Sequence, residues 1–241
     1  MGGHCVGLMV TLRVSSLDDG PLSGDHEATW LLGHTERITF GDLWEDDGDL
    51  YADAVLHVPC RFLKRDAAGR AGCSAHGFSG RVPDPEAHRP EARRLPGDRF
   101  RIVDRGRIVS RHLPPPERLP RELPIHAGSN PCVGAPCRTA DNTRGAACCR
   151  DLQIEIMCTE REHRLEALIR ARKSPYLCKI ERESPFSLAG EMISACGFLA
   201  DDRIHCSLHG RRREDGRPAK PDLCSKWPEA DDLHHPGCVF G

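Results

Sequence analysis

Several stretches of the chain have the residue pattern of β-strands. "TLRVSSL" (11–17) and "DLQIEIM" (151–157) alternate between apolar and polar residues, which is the period of a strand with one buried face. "LYADAVLHV" (50–58) predicts a strand that runs into Cys60. "RFRIVDRGRIVSRHL" (99–113) has two apolar stretches around a central Asp-Arg-Gly, which favours a hairpin.

One helix is predicted after the strand at 151–157. Thr159 and Glu162 have the spacing of a capping box, and Ser174-Pro175 should end the helix. The residues between them carry a narrow apolar face at Leu165, Leu168 and Ile169.

The chain holds little material for a hydrophobic core. Aromatic residues make up 5% of its 241 residues, and the hydrophobic fraction of 39% includes thirteen cysteines. Nineteen prolines and twenty-three glycines interrupt regular structure. Small, loop-rich units of this kind usually depend on disulfides or metals. The composition therefore predicts a small, irregular, cysteine-rich α+β fold that is metal-stapled, with short strands and few helices.

Cysteine density and proline content divide the chain. Residues 1–120 hold three cysteines and residues 121–241 hold ten. Between them, "HLPPPERLPRELP" contains five prolines, which predicts an extended linker. The predicted organisation is a β-rich region over 1–111, a Pro-rich linker over 112–124 and a cysteine-cluster metal-binding domain over 125–241.

Charge and hydropathy narrow the choice of partners and compartment. The formal net charge is −2, and the acidic stretch 18–53 and the basic stretch 61–121 read as solvated faces. The basic stretch has only three aromatic residues, which does not favour nucleic-acid binding. No segment approaches the run of about 18 apolar residues that spans a membrane, and no secretory signal is recognised. We therefore expect a cytoplasmic protein with no membrane partner.

Cysteines kept reduced in the cytoplasm are more often metal ligands than disulfides. Thirteen is also an odd number, so a complete disulfide framework would leave one thiol unpaired. Thiolates bind zinc in tetrahedral sites or iron in iron–sulfur clusters. Adjacent cysteines point to opposite faces of a strand, but from a Gly-Ala-Ala turn they can serve one ion or two neighbouring centres. The first candidate ligands are Cys132, Cys137, Cys148, Cys149, Cys196, Cys206 and Cys224.

The C-terminal cysteines also carry a resemblance. "GAACCRDLQIEI", a helix, and "CGFLADDRIHCSLHGRRREDGRPAKPDLCSKWP" resemble the YkgJ-type cysteine-cluster family of zinc- or iron-chelating proteins, over about residues 130–230. The family's pattern is Gly-x-Cys-Cys, Cys-x-Phe-Leu, a later cysteine, Arg-Pro and a final cysteine before an aromatic-Pro. The matching positions are Cys148, Cys149, Cys196, Cys206, Arg217-Pro218 and Cys224. The resemblance implies that these cysteines hold a metal.

The chain departs from that family pattern at several positions. Cys137 and Cys148 are separated by the ten residues "RTADNTRGAA", where the family has shorter spacings, and His209 replaces an expected tyrosine. Three further cysteines lie outside the pattern. Cys158 and Cys178 read as buried small residues or as ligands, and Cys238 with its neighbouring histidines closes a site or belongs to a frayed terminus.

A partial copy of one motif occurs near the N-terminus. Cys-x-Phe-Leu and Cys-Ser-x-His-Gly occur together at 60–77 and again at 196–210. The first copy supplies Cys60, Cys73 and His76, and the second supplies His209 as a further candidate. Two interpretations are open: a metal site that borrows a ligand from Cys5, His76 or the C-terminal cysteines, or a shared turn with buried cysteines.

The sequence thus predicts a cytoplasmic metal-binding protein of the cysteine-cluster type, with an iron–sulfur cluster or zinc as cofactor. Two alternatives stay open. One is an iron–sulfur-dependent protein-modifying enzyme, because some relatives with this cysteine pattern are described as protein methyltransferases that carry an iron–sulfur cluster. The other is an interaction module with structural zinc. The sequence identifies no protein partner and no catalytic residue.

Overall fold

Six strands of the chain form one antiparallel sheet. The structure is a computed structural model that describes residues 3–14, 36–82, 102–104, 107–110, 132, 134–158, 163–200, 202–209, 211–213, 216, 220 and 237–238. The strands of the sheet are β1 (Leu8–Arg13), β2 (Ile38–Asp46), β3 (Asp49–Leu56), β8 (Asp151–Met157), β9 (Leu177–Ser184) and β10 (Ser187–Ile193). Their order across the sheet is β2-β3-β1-β8-β10-β9.

Smaller elements lie before, between and after these strands along the chain. β4 (Leu63–Arg65) pairs with β5 (Ala71–Cys73), and β6 (Ile102–Asp104) pairs with both β7 (Arg107–Ser110) and β11 (Arg212–Arg213). The described helices are α1 (Gly3–Val6) and α2 (His163–Arg172), and single 3₁₀ turns span Ser74–His76 and Ala147–Cys149. None of the helices in the described ranges is long and apolar enough to cross a membrane.

The chain divides into two compact units, each built from three segments. The first unit comprises residues 1–19, 37–90 and 153–194, and the second comprises residues 20–36, 91–152 and 195–241. Nearly all of the six-stranded sheet belongs to the first unit. The predicted linker, 112–124, lies outside the described residues, so the predicted domain boundary stays a prediction.

The six-stranded sheet repeats itself about its centre. β1 and β8 pair there, with Leu12 opposite Ile156, and the hairpin β2–β3 flanks β1 as the hairpin β9–β10 flanks β8. The two central strands bury the same alternate positions: Leu8, Val10 and Leu12 in β1, and Leu152, Ile154 and Ile156 in β8. The sheet is therefore built from two copies of one three-stranded unit.

Several predicted elements are confirmed. The strand predicted at 151–157 is β8, and the strand predicted at 50–58 overlaps β3. The predicted helix is α2, although its expected cap at Thr159 lies outside the described residues. In the predicted hairpin, Asp104 at the end of β6 faces Arg107 at the start of β7.

The predicted fold class is wrong. A small, irregular, metal-stapled α+β fold was expected, whereas the described residues are mostly strand and most of the strands belong to one regular sheet. The difference arises because both copies contribute to one core, in which Leu56, Ile156, Leu188 and Met192 are fully buried. A low apolar content averaged over the chain hides this local concentration of buried apolar side chains.

Replacing Ile156 by alanine tests whether the β1–β8 pair anchors the sheet. Ile156 is fully buried, so Ile156→Ala should lower the free energy of unfolding by about 2–5 kcal/mol. The measurement is urea denaturation of the chelator-treated protein, followed by circular dichroism. Met9, on β1, is 81% exposed, and Met9→Ala should change stability by less than about 0.5 kcal/mol. Equal effects of the two substitutions would contradict the assignment of the core.

Candidate functional site

The adjacent cysteines lie on a tight turn of the second unit. Gly145 and Ala146 both have positive φ, and the chain then enters the 3₁₀ turn Ala147–Cys149. The buried guanidinium of Arg150 donates to the carbonyl oxygens of Arg144 and Gly145 and so holds this turn from inside. The sequence allowed two neighbouring thiols to act together from a Gly-Ala-Ala turn, and the backbone has that turn.

The ten residues between Cys137 and Cys148 fold back on themselves. Arg138 and Arg144 form an antiparallel bridge, and the N–H of Gly145 donates to the carbonyl of Cys137 at 2.7 Å. The carboxylate of Asp151 accepts the N–H of Ala140 at 2.7 Å. The longer spacing therefore forms a closed loop and keeps Cys137 beside the turn that carries Cys148.

Cys149 lies beside the hairpin that carries Cys196 and Cys206. The N–H of Cys196 donates to the carbonyl of Cys149 at 2.7 Å, and Leu199 bridges to Cys206 across the hairpin. The thiols of Cys196 and Cys206 are close enough to Cys149 to raise its pKa by their charge. Three thiols that are far apart in sequence therefore form one group, which we call the Cys149 cluster (Cys149, Cys196 and Cys206).

The two adjacent thiols are hydrogen-bonded to each other. The thiol of Cys149 donates to Cys148, and this bond lowers the pKa of Cys148 to about 7 although the thiol is buried. The same bond raises the pKa of Cys149 well above its usual range, and burial adds to the rise. In the metal-free protein, Cys148 is therefore the thiolate of the pair near neutral pH.

The pKa of Cys206 is raised overall, although several neighbouring groups favour its ionised form. Burial raises the pKa of Cys206, but the backbone N–H groups of Leu208 and His209 donate to its sulfur and oppose that rise. The positive charges of Lys220 and Arg211 act in the same direction. A thiolate at Cys206 thus has two hydrogen-bond donors and two cations nearby.

A further group of thiols surrounds Cys132. Burial, together with the neighbouring thiols of Cys148, Cys137 and Cys238, raises the pKa of Cys132 to about 11. Lys220 opposes the rise. Cys148 is therefore near both groups, and Cys238, which sequence analysis placed at a frayed terminus or a closed site, lies beside the cysteines of this loop.

The described thiols do not form a ready coordination shell. Among the described residues, no group of three or more Cys, His, Asp or Glu side chains is arranged so as to hold a metal ion. Cys224, the last predicted ligand, lies outside the described residues. Metal binding by Cys132, Cys137, Cys148, Cys149, Cys196, Cys206 and Cys224 therefore stays a prediction.

Cys158 and Cys178 occupy structural positions in the first unit. Cys158 directly follows β8 and is buried, as Val14 directly follows β1 and is buried. Cys178 is the second residue of β9, where β2 has Thr39, and its thiol donates to the carbonyl of Glu191 at 3.5 Å. The equivalent strands carry no cysteine at these places, which favours the interpretation of both as packing residues.

The other predicted ligands lie on hairpins. Cys60 and Cys73 are half-buried in the first unit, and His76 is exposed on the 3₁₀ turn after Cys73. His209 is exposed in the second unit, three residues after Cys206.

Sequence analysis missed the charged partners of these thiols. Arg211 is 3% exposed, and its three guanidinium nitrogens have no hydrogen-bond acceptor among the described residues. Lys220 acts on the pKa of Cys132, Cys148 and Cys206 alike. Both residues come from the "HGRRREDGRPAK" segment, and nothing in that run of charged residues distinguishes a buried arginine from a solvated one.

Comparison with protein-family models, with curated proteins and with solved structures gave no match. The resemblance to the YkgJ-type family therefore stays a prediction.

The pKa of Cys148 can be tested by alkylation. Because its pKa is lowered to about 7, the rate of its reaction with iodoacetamide should rise with pH to a midpoint near pH 7 in chelator-treated protein. Mass spectrometry of the peptide Gly145–Arg150 reads the rate. Cys149→Ala removes the hydrogen-bond donor, so the midpoint should move up towards the ordinary thiol value of about 8.5. An unchanged midpoint in this variant would contradict the thiol–thiol bond.

Proposed function

We propose that this chain is a cytoplasmic metal-binding protein of the cysteine-cluster type, and that the Cys149 cluster supplies thiolates to its metal. The support begins with the backbone. One hydrogen bond joins Cys196 to Cys149, and one bridge joins Leu199 to Cys206. Grouped thiolates are usual ligands of soft or borderline cations such as zinc and iron.

The burial of Arg211 is the single observation that carries the proposal. A buried guanidinium without an acceptor is costly unless a negative charge lies near it. Its positive charge acts on the thiol of Cys206, where it opposes the rise in pKa that burial causes. Among the residues that the structure describes, neutral thiols would leave this cation uncompensated, whereas a group of metal-bound thiolates carries the negative charge that it needs.

The hydrogen bonds around Cys206 support the same conclusion. Backbone N–H donors from Leu208 and His209 favour a thiolate over a thiol, because a donated hydrogen bond stabilises the charged form. Ligating sulfur must be deprotonated, so a turn that already points two donors at the sulfur lowers the cost of binding.

The set of donors admits zinc or an iron–sulfur cluster. With Cys148 beside Cys149, and Cys132 beside both Cys148 and Cys137, the second unit has enough cysteines for the four ligands of either, although their side chains would have to rearrange to bind it. Zinc held by thiolates supplies a structural cross-link, and an iron–sulfur cluster supplies electron transfer. The protein's own contribution is the same in both cases: it gathers the thiols, donates hydrogen bonds to sulfur and neutralises charge with Arg211 and Lys220.

The cytoplasmic part of the proposal rests on the sequence. Thirteen cysteines cannot all pair as disulfides, and clustered thiols in a reducing compartment are more often metal ligands.

The proposal is tested by metal content. The protein is purified anaerobically, and zinc, iron and sulfide are measured on the sample that gives the visible spectrum. Cys149→Ser and Cys206→Ser should each lose about one equivalent of metal or a whole cluster, because four ligands are the usual number. A brown protein with iron and sulfide identifies a cluster, and a colourless protein with zinc identifies a thiolate zinc site.

Cys158→Val provides the matched control. It removes a buried thiol of the same chain and introduces the residue found at Val14, so it should keep the full metal content. Metal-free wild-type protein, or full metal retention in both Cys149→Ser and Cys206→Ser, would contradict the proposed function.

A further inference from the structure

The first cysteine motif forms a specific hairpin. The N–H of Leu63 donates to the carbonyl of Cys60 at 2.9 Å, and the N–H of Ser74 donates to the carbonyl of Phe62 at 2.8 Å. Leu63 lies opposite Cys73 in the antiparallel pair β4–β5. The buried side chain of Leu63 anchors the hairpin, and the backbone of Leu63 pairs with both Cys60 and Cys73.

The second motif forms the same hairpin. The N–H of Leu199 donates to the carbonyl of Cys196 at 3.1 Å, and the N–H of Ser207 donates to the carbonyl of Phe198 at 2.7 Å. Leu199 is buried and lies opposite Cys206. Every backbone contact of the first hairpin just described thus recurs at the equivalent residue of the second.

The equivalence extends to a third cysteine. The N–H of Cys60 donates to the carbonyl of Cys5 at 2.9 Å, just as the N–H of Cys196 donates to the carbonyl of Cys149 at 2.7 Å. Cys5 lies just before β1, and Cys149 lies just before β8, the two strands that pair at the centre of the sheet. Cys5 is therefore the counterpart of Cys149, which sequence analysis did not recognise.

The two copies keep the same potential ligands and differ in other cysteines. Where one copy has Cys158 and Cys178, the other has Val14 and Thr39. The potential metal ligands shared by both copies are three cysteines and one histidine: Cys5, Cys60, Cys73 and His76 in the first, and Cys149, Cys196, Cys206 and His209 in the second. Three thiolates and one imidazole form a common tetrahedral zinc set.

We propose that Cys5, Cys60, Cys73 and His76 form a second metal site, in the first unit, for a thiolate-binding divalent ion of which zinc fits the donors best. This inference rests on the proposed function, because the Cys149 cluster is the pattern that it repeats. On binding, each of the three thiols would release its proton to solvent. The described side chains are not already arranged around a metal ion, so the exposed imidazole of His76 would have to rotate towards the thiols to complete the set.

A buried cation lies beside the thiols of this site as well. Arg172 is 5% exposed and donates to the carbonyl of Val58 at 3.0 Å and to that of Gly7 at 3.3 Å. Burial lowers the pKa of Arg172, and the charges of Cys60 and Cys5 raise it. One buried guanidinium is therefore near enough to two of the proposed ligands to interact with their charge, as Arg211 interacts with Cys206 in the second unit.

The test counts zinc in the intact chain. Full-length protein is loaded with Zn²⁺ under anaerobic, reducing conditions, weakly bound metal is removed with a chelator, and native mass spectrometry measures zinc per folded chain. Cys60→Ser and Cys73→Ser should each lose about one zinc and keep the metal of the second unit. Cys178→Thr, which introduces the residue of the equivalent strand, should lose none.

The outcomes separate this inference from the proposed function. If Cys60→Ser and Cys73→Ser keep the wild-type zinc content while Cys206→Ser loses metal, the second site is disproved and the proposed function stands. If Cys206→Ser also keeps its metal, both are wrong. Loss in Cys178→Thr equal to that in Cys60→Ser would mean that the zinc responds to unfolding and would overturn the assignment of ligands.

A measurement on wild-type protein covers the case in which the serine variants do not fold. Bound zinc should slow the alkylation of Cys5, Cys60 and Cys73 by N-ethylmaleimide by about tenfold or more, because a metal-bound sulfur is a poor nucleophile. The rate at Cys178 should not change. Equal rates at Cys5, Cys60 and Cys73 with and without zinc would contradict the site.

Discussion

The antiparallel pairing of β1 with β8 is the contact on which the rest of the sheet depends. Leu12 faces Ile156 at its centre, and both side chains are buried. A shift of one residue in this register would move every apolar side chain of one copy to the opposite face. The buried alternate positions of the two strands therefore fix the register, and the register sets where each hairpin leaves the sheet. The positions of Cys5 and Cys149, at the starts of these strands, follow from it.

Charge is the second constraint, and it acts at the thiols. Each unit has a buried arginine near cysteine thiols: Arg172 near Cys5 and Cys60, and Arg211 near Cys206. Burying a cation is unfavourable unless neighbouring groups compensate it. Arg172 donates to the backbone carbonyls of Gly7 and Val58, and the charge of Arg211 opposes the rise in the pKa of Cys206 that burial causes. The backbone N–H donors at Cys206 act in the same sense.

Local pattern predicted the elements and failed for the long-range features. Alternation over seven residues was enough to identify β8, and capping and proline signals identified α2, because both depend on neighbours in sequence. The fold class was missed because a core shared by two copies is invisible in an average composition. Cys5 was named as one possible ligand beside Cys60 and Cys73, but its equivalence to Cys149 was missed for a similar reason. A single backbone hydrogen bond joins Cys5 to Cys60, which is distant from it in sequence. The repeated Cys-x-Phe-Leu motif was the visible part of a much longer repeat.

The symmetry of the sheet has a consequence for the history of the chain. In a single copy, β1 would be the edge strand of a three-stranded sheet, and its unpaired edge could pair with a strand of another chain. Two such chains could pair through that edge about a two-fold axis, with the residue at position 12 facing its own equivalent, as Leu12 faces Ile156 here. Joining the copies in one polypeptide removes the dependence on concentration and frees each half to diverge. The extra cysteines at 132, 137, 148 and 238 occur in only one of the two cysteine neighbourhoods, as gene duplication and fusion of an ancestral homodimer would permit.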